Sequence, residues 1–179
     1  MGGIGMRYLV VSDNHGDREI LVKLLDKYHA NVDYFFHCGD SELRADDELF
    51  DVYQVVGGNC DYNPAFSEKQ LFEMGASGDK VLLIHGHTKG VSYGMTDLQL
   101  AAKEEGANLV FFGHTHQLGC VYHDQTLFLN PGSISFPRGE FASFDGTYAV
   151  VESDEKQLIV QYYQRDFEPI SKLRFVYSR

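Results

Sequence analysis

Residues 8–16 read YLVVSDNHG, a short run of apolar and β-branched residues that ends in Asp13, His15 and Gly16. Four other runs have the same form: YFFHCGD at 34–40, YQVVGGN at 53–59, VLLIHGH at 81–87 and LVFFGHTH at 109–116. Apolar runs of this length and composition predict buried strands. Each run leads directly into a side chain that can bind a metal, so the pattern predicts polar groups gathered at one edge of a sheet.

Helical patterns separate the first strands. Glu19 to His29 carries apolar residues at helical spacing and forms a βα unit with the strand Tyr8–Val11. The strands Tyr34–Phe36 and Tyr53–Val56 enclose a short helical candidate from Glu42 to Phe50. This βαβαβ order is typical of a parallel sheet.

The second half is richer in strands. Gln70–Glu73 and Lys80–Ile84 predict a hairpin, and a helix follows with Thr96 as its N-cap and its end near Gly106. The later strand candidates are Leu109–Phe112, Gly119–His123, Thr126–Leu129, Tyr148–Glu152, Leu158–Tyr163 and Lys172–Tyr177. We expect a largely antiparallel C-terminal third, with an edge strand in 167–177, and two sheets that each carry helices on the outer face.

Composition narrows the class of protein. The 179 residues are 44% hydrophobic and 23% charged, which is ordinary for a globular chain, and we predict one domain over 6–179. Residues 1–5 are interpreted as a vector-derived remnant. A net charge of -11 argues against wrapping long nucleic acid, and no apolar run approaches the roughly 20 residues that cross a bilayer. Three cysteines without a CxxC pair indicate reduced thiols, and with no secretion signal the expected location is cytoplasmic.

Seven candidate metal ligands fall at the strand ends, where open α/β sheets bind their ligands. They are Asp13, His15, Asp40, Asn59, His85, His114 and His116. Residues two apart in extended chain project to one side, so Asp13 with His15, and His114 with His116, can each bind one centre. Carboxylate, imidazole and amide donors suit manganese, iron or zinc better than magnesium. Each motif alone also reads as a simple strand-to-turn junction, but five at one topological position favour a metal site.

The ordered motifs resemble those of the calcineurin-like metallophosphoesterases. The family pattern DxH, GD, GN, H and GHxH is matched by Asp13-x-His15, Gly39-Asp40, Gly58-Asn59, His85 and Gly113-His114-Thr115-His116. The resemblance runs from Met6 to the C-terminus. It is to the small bacterial and archaeal phosphodiesterases, a group related to a retromer subunit of the same fold. It implies an α/β (α+β) fold, a four-layer αββα sandwich in which two mixed β-sheets are flanked by helices.

The same resemblance implies two divalent metal ions, manganese first, with iron, zinc and nickel as alternatives. Asp13, His15, Asp40 and His116 would hold one ion, Asp40, Asn59, His85 and His114 the other, and Asp40 would bridge. A water or hydroxide between ions roughly 3.5–4 Å apart would then attack a phosphate ester. Asp40 and Asn59 are accordingly predicted to be catalytic.

Several neighbouring residues extend the pattern. Many relatives read GNH, with the histidine protonating the leaving oxygen, whereas Cys60 follows Asn59 here. Asp61 is expected to orient its neighbours or to form part of the turn. His87 is predicted to contact substrate or donate a proton, with a supporting hydrogen bond as the alternative. Asn130, in an NPGS turn like that of the family, and Asn59 are predicted substrate contacts. The plain alternative for Asn130 is an ordinary proline-glycine turn, and for Arg138 a surface arginine rather than a phosphate contact.

Three functions share these residues. A two-metal phosphoesterase acting on small phosphate esters leads, with diesters favoured by the resemblance alone. A protein-binding scaffold of the same fold is the second, although it would tolerate ligand losses and all seven positions carry competent side chains. Metal-dependent hydrolysis of a non-phosphate ester is the third. We expect no membrane partner and no long nucleic acid, and a homo-oligomer stays open.

Overall fold

The computed structural model describes residues 5–75 and 77–179. The interpretation of 1–5 as a remnant therefore falls mostly outside the described residues. Gly5 alone is described, as an exposed residue directly before the first strand. No helix within the described ranges combines the length and the apolar character that crossing a bilayer would need.

Strands and short helices alternate along the first two thirds of the chain, and strands dominate the rest. In chain order the elements are β1 (Met6–Val11), α1 (Arg18–Tyr28), β2 (Tyr34–His37), β3 (Tyr53–Val55), β4 (Lys69–Met74), β5 (Asp79–Ile84), α2 (Thr96–Glu105), β6 (Leu109–Phe111), β7 (Gly119–His123), β8 (Thr126–Asn130), β9 (Thr147–Ser153), β10 (Gln157–Gln164) and β11 (Pro169–Ser178). Three 3-10 turns lie at Glu48–Asp51, His87–Lys89 and Gly139–Phe144.

The strands form two mixed sheets. The first has the order β11-β10-β9-β1-β2-β3, and the second has the order β4-β5-β6-β8-β7. In the first sheet β1, β2 and β3 are parallel, and β9, β10 and β11 continue it in antiparallel fashion. In the second sheet β5, β6 and β8 are parallel. The parallel strands of both sheets are the ones whose ends carry the candidate ligands.

Alternation along β1 shows how the layers are built. Tyr8 and Val10 face the core between the two sheets, where Phe36 and Phe111 pack against them. The intervening residues of β1 point to the opposite face and pack under α1. Helix α2 covers the outer face of the second sheet in the same way, through Leu98. The fold is therefore the four-layer αββα sandwich with two mixed sheets that the sequence predicts.

Two local predictions are wrong. Only the last residues of the stretch 42–50 are helical, as part of the 3-10 turn Glu48–Asp51, because backbone groups before them are engaged elsewhere. The carboxylate of Asp61 accepts the N–H of Glu42 at 2.8 Å, and Asp47 caps the 3-10 turn by accepting the N–H of Leu49. The N-cap of α2 is Met95, without a side-chain bond, so Thr96 is already inside the helix.

Other local predictions are confirmed. The hairpin pairs β4 with β5 antiparallel, and α2 ends where Gly106 adopts a left-handed conformation with φ 64°. The edge strand of the first sheet is β11, which begins at Pro169 rather than at Phe167. The cysteines are all free thiols.

Candidate metal centre

The seven predicted ligands meet at one end of the sandwich, across the seam between the sheets. Asp13, His15, Asp40 and Asn59 follow β1, β2 and β3 of the first sheet, whereas His85, His114 and His116 follow β5 and β6 of the second. The carboxyl ends of parallel strands lie at the same edge of a sheet, so each sheet brings its own ligands to this edge. The sandwich then places the two edges side by side.

Backbone hydrogen bonds tie the ligand loops to each other. Beyond the end of β1, Asp13 N–H donates to Gly39 O and His15 N–H donates to Asp40 O, both at 3.1 Å. In the second sheet, Gly113 N–H donates to His85 O at 3.0 Å. The loops are therefore fixed by main chain rather than by their side chains alone.

Left-handed backbone is concentrated at this edge. Five of the seven predicted ligands have positive φ: Asp13 56°, His15 45°, Asp40 53°, His114 71° and His116 60°. Such a conformation is sparsely populated by residues other than glycine and persists where the surrounding structure enforces it. The strained turns reverse the chain immediately after each strand and direct the side chains into one centre.

The first group of ligands is largely buried. Ligand atoms of Asp13, His15, Asp40 and His116 lie within 4.8 Å of one another. His15 Nε2 and His116 Nε2 are 3.1 Å apart, and Asp13 Oδ1 lies 3.3 Å from His116 Nε2. Side chains from both sheets thus converge on a single point.

This group fits a divalent cation. Asp13 Oδ1 is buried and has no hydrogen-bond partner among the described residues, which is costly for a carboxylate oxygen unless a cation completes it. His116 Nδ1 donates to the carbonyl of Phe136 at 2.8 Å, and a carbonyl can only accept. The proton of His116 is therefore on Nδ1, and its Nε2 presents a lone pair to the centre.

The second group is more open to solvent. Asn59 Oδ1 lies 2.8 Å from His114 Nδ1 and 3.2 Å from His85 Nε2, and His85 Nε2 is 3.4 Å from Asp40 Oδ2. His85 is fully buried and donates from Nδ1 to Cys38 O at 2.7 Å, so its Nε2 also faces the centre as a lone pair. Asp40 touches both groups, as the predicted bridging position requires.

Charge in the centre is set by the two carboxylates. Burial opposes ionisation of Asp40, but the neighbouring His85 and the hydrogen bond from the N–H of Cys60 outweigh it and hold the pKa of Asp40 well below its usual range. Burial likewise opposes protonation of His85 and His116, yet the adjacent carboxylates raise the pKa of both. A proton and a metal ion compete for these nitrogens.

Residues outside the predicted set position the ligands. Glu42 bonds to His15 Nδ1, and Ser133 Oγ donates to Asp13 O at 2.7 Å. The buried His37 joins two ligand loops, because its Nε2 donates to Asn14 Oδ1 at 2.8 Å and its Nδ1 accepts Gly39 N–H at 3.1 Å. Burial lowers the pKa of His37 to about 4, so the ring is neutral. In the sequence, the only sign of this role is the position of His37 in the run YFFHCGD.

Cys60 and Asp61 differ in their surroundings. The Cys60 thiol is half-buried beside Asp40, and burial together with that negative charge raises its pKa to about 11. The carboxylate of Asp61 accepts the N–H of Gly58 at 2.9 Å and the hydroxyl of Ser41 at 3.1 Å. Asp61 is therefore an orienting group that joins the second and third ligand loops.

His87 lies among the histidines of the second group. Its ring centroid is 5.3 Å from that of His85 and 6.1 Å from that of His114, and its Nδ1 is buried without a partner among the described residues. Burial and the neighbouring His85 lower the pKa of His87, so its ring is neutral near pH 7. The predicted role of His87 near substrate stays a prediction.

Asn130 has a different setting. Its side chain is buried, donates to Gly113 O at 2.9 Å and to Thr115 Oγ1 at 3.0 Å, and accepts the N–H of Gly132 at 2.9 Å. These bonds position the turn that carries His114 and His116. The contact of Asn130 with substrate stays a prediction.

A two-sheet sandwich with a cluster of carboxylate and imidazole groups at its strand ends indicates a metal-binding protein. A family model described as the calcineurin-like phosphoesterase superfamily domain matches residues 6–156, and the chain belongs to this family. It is 34% identical over 169 residues, 94% of this chain and 97% of the relative, to a Bacillus subtilis protein named probable metallophosphoesterase YsnB.

Solved structures share the whole fold. A conserved protein of Streptococcus pneumoniae described as a predicted phosphoesterase has a TM-score of 0.93 at 37% identity, over 98% of this chain and 99% of that one. Vacuolar protein sorting 29 of Cryptosporidium parvum has a TM-score of 0.76 at 17% identity, over 98% of both chains. At that identity the second likeness shows the fold alone.

We expect Gly113→Ala to disrupt the centre. A Cβ at Gly113 would lie 2.7 Å from Asp13 Oδ2 and closer still to Ser12 Oγ, so either this carboxylate or the second-sheet loop has to move. The free energy of unfolding should fall by about 2 kcal/mol or more, with loss of bound metal. Urea unfolding and elemental analysis measure both. Gly119→Ala, where a Cβ meets nothing within 4 Å, is the control and should change stability by less than about 0.5 kcal/mol.

We expect His87→Ala to lower turnover of a phosphate ester by about tenfold or more while bound metal stays unchanged, because His87 borders the ligands without being one. Steady-state kinetics and metal content measure the two effects separately. His123→Ala, which removes an exposed histidine from β7, is the matched control. Unchanged turnover and unchanged metal content in the His87 variant would show that the residue has no role near substrate.

Proposed function

We propose that this protein is a phosphodiesterase that works with two divalent metal ions. The observation that carries the proposal is the arrangement of the seven ligands in two adjacent groups that share Asp40. Two ions held in this way lower the pKa of a water molecule and neutralise the charge that develops on phosphoryl oxygens. Manganese is the proposed metal, from the mixture of carboxylate, imidazole and amide donors.

The chain's own residues supply charge and position. Asp13 and Asp40 contribute two negative charges. Two divalent ions would give the centre a net charge of about +2, although the protein as a whole carries -11. A local positive centre on an acidic surface favours a small phosphate ester over a long polyanion. Asn59 is the most exposed ligand of the second group, so its amide is placed to meet a substrate oxygen.

Two grooves beside the centre favour a diester. One of about 430 Å³ runs along His114 and is lined by Met95 and Gln117. The other, of about 760 Å³, lies against His15 and His116, and Arg138 lines both grooves. A phosphate at the centre could place one ester substituent in each groove, whereas a monoester would use only one.

Protonation of the leaving group is the weak step of this centre. Cys60 occupies the position where many members of the family carry a histidine, and with a pKa raised to about 11 its thiol is a poor acid. Substrates with acidic leaving groups would need no such proton. The proposed enzyme therefore acts best on esters whose leaving group is activated or is stabilised as an anion.

The scaffold alternative has support from the fold alone, through the likeness to vacuolar protein sorting 29. The orphaned buried carboxylate oxygen of Asp13 and the seven competent ligand side chains favour the enzyme over a scaffold. Free thiols in the described chain agree with the proposed cytoplasmic location. A homo-oligomer belongs to the proposal only as an open possibility.

The test is hydrolysis of bis(4-nitrophenyl) phosphate and of 4-nitrophenyl phosphate with added Mn²⁺. We expect turnover of both, faster on the diester, and its loss in Asp40→Ala. Asp26→Ala, an exposed carboxylate on α1, is the matched control and should retain activity. Absence of bound metal by elemental analysis, together with no turnover of either ester, would overturn the proposal.

We also expect kcat/KM for a series of diesters to fall steeply as the pKa of the leaving alcohol rises, because the thiol of Cys60 is too weak an acid to protonate it. Cys60→His should raise rates on alkyl esters selectively, and Cys60→Ser should not. A plot of log kcat/KM against leaving-group pKa measures the slope. A flat plot, or no gain on alkyl esters from Cys60→His, contradicts the role assigned to this position.

A further inference from the structure

The segment after the NPGS turn brings an aromatic ring and a guanidinium group to the metal centre. The carbonyl of Phe136 accepts from His116 Nδ1, and the N–H of Arg138 donates to His116 O at 3.0 Å. Arg138 itself has an extended backbone, with φ -131° and ψ 170°. Both residues line the groove of about 760 Å³ beside His15 and His116.

Phe136 is unusually exposed for a large apolar residue. It is 57% accessible, although its centroid lies only 5.5 Å from the His15 ring. A large apolar side chain fixed beside a ligand and left open on one face offers a stacking surface. It provides a place for a planar group on whatever is bound at the centre.

Arg138 is unusual in a different way. Five of the seven arginines form ion pairs with carboxylates, namely Arg7, Arg18, Arg44, Arg165 and Arg179. Arg138 has no such pair within the described residues, in a chain with 26 acidic against 15 basic residues. The carboxylates that line the same groove are Glu42, which is bonded to His15, and Asp145. Arg138 is the cation that this groove offers to an anion.

We propose that Phe136 and Arg138 form a specificity subsite for the ester group that is not cleaved, and that this group is a planar ring carrying its own negative charge. The ring would stack on Phe136 and the anion would bind the guanidinium, which presents donors in a fixed fork suited to carboxylate or phosphate oxygens. This subsite rests on the proposed phosphodiesterase function. It defines the substrate class as anionic, ring-bearing phosphodiesters.

Three chromogenic diesters with one leaving group isolate the subsite: methyl, phenyl and 4-carboxyphenyl 4-nitrophenyl phosphate, each with Mn²⁺. We expect kcat/KM to rise in that order. Arg138→Met should lower the value for the carboxyphenyl ester by about tenfold and leave the methyl ester within about twofold. Phe136→Ala should lower both ring-bearing esters by about threefold to tenfold, and Phe136→Tyr should restore them.

Arg174→Met is the matched control, because Arg174 is likewise exposed and has no ion pair within the described residues but lies on β11. Metal content should be unchanged in every variant, since substitutions of the Phe136 and Arg138 side chains leave the main-chain bonds of these residues to His116 in place. The methyl ester lacks both features, so its turnover reports the proposed function independently. Equal kcat/KM for the three esters in the wild type, or an equal loss on all three in the variants, overturns the subsite and leaves that function standing.

Discussion

Close approach of main chain to two buried carboxylates is the constraint on which this molecule depends. Asp40 Oδ1 accepts the N–H of Cys60 at 2.8 Å, and the Cα of Gly58 packs so tightly against the same carboxylate that no Cβ fits. Gly113 stands in the same relation to Asp13 from the other sheet. Because a buried carboxylate is tolerated only when it is bonded or paired with a cation, these contacts decide where the loops run. Gly58 and Gly113 permit this close approach because glycine has no Cβ.

The layer architecture could be predicted from the sequence because its signals are local. Strand runs such as Tyr8–Val11 and the helical spacing after Glu19 each report burial on one face, and the order of elements limits the topology. The stretch 42–50 could not be predicted in this way. The N–H of Glu42 is bonded to the carboxylate of Asp61, and the N–H of Leu49 to that of Asp47. A hydrogen bond to a carboxylate distant in sequence, such as Asp61, cannot be read from the hydrophobic periodicity of the segment.

The candidate ligands were visible for a related reason, since each one directly follows a strand. Of their supporting residues, Asp61 is predicted from the sequence, whereas Glu42 is not. Glu42 reaches His15 only because the chain around it turns through a left-handed conformation, with φ 52° at Glu42 itself. His37 joins two loops from a position that looks like one more strand residue. Such contacts depend on three-dimensional placement, which residue type and spacing do not specify.

The seam between the sheets gives the centre a mechanical meaning. The group Asp13, His15 and Asp40 belongs to one sheet and His116 to the other, and the rings that pack between them, such as Tyr8 and Phe111 at 6.3 Å, set the alignment of the two sheets. An ion bound there would cross-link the halves of the sandwich. By thermodynamic linkage, any change that shifts one sheet against the other would lower the affinity for the ion, and bound ion would in turn oppose that shift. Interior packing between the two sheets would thus set the affinity of this site for its ion.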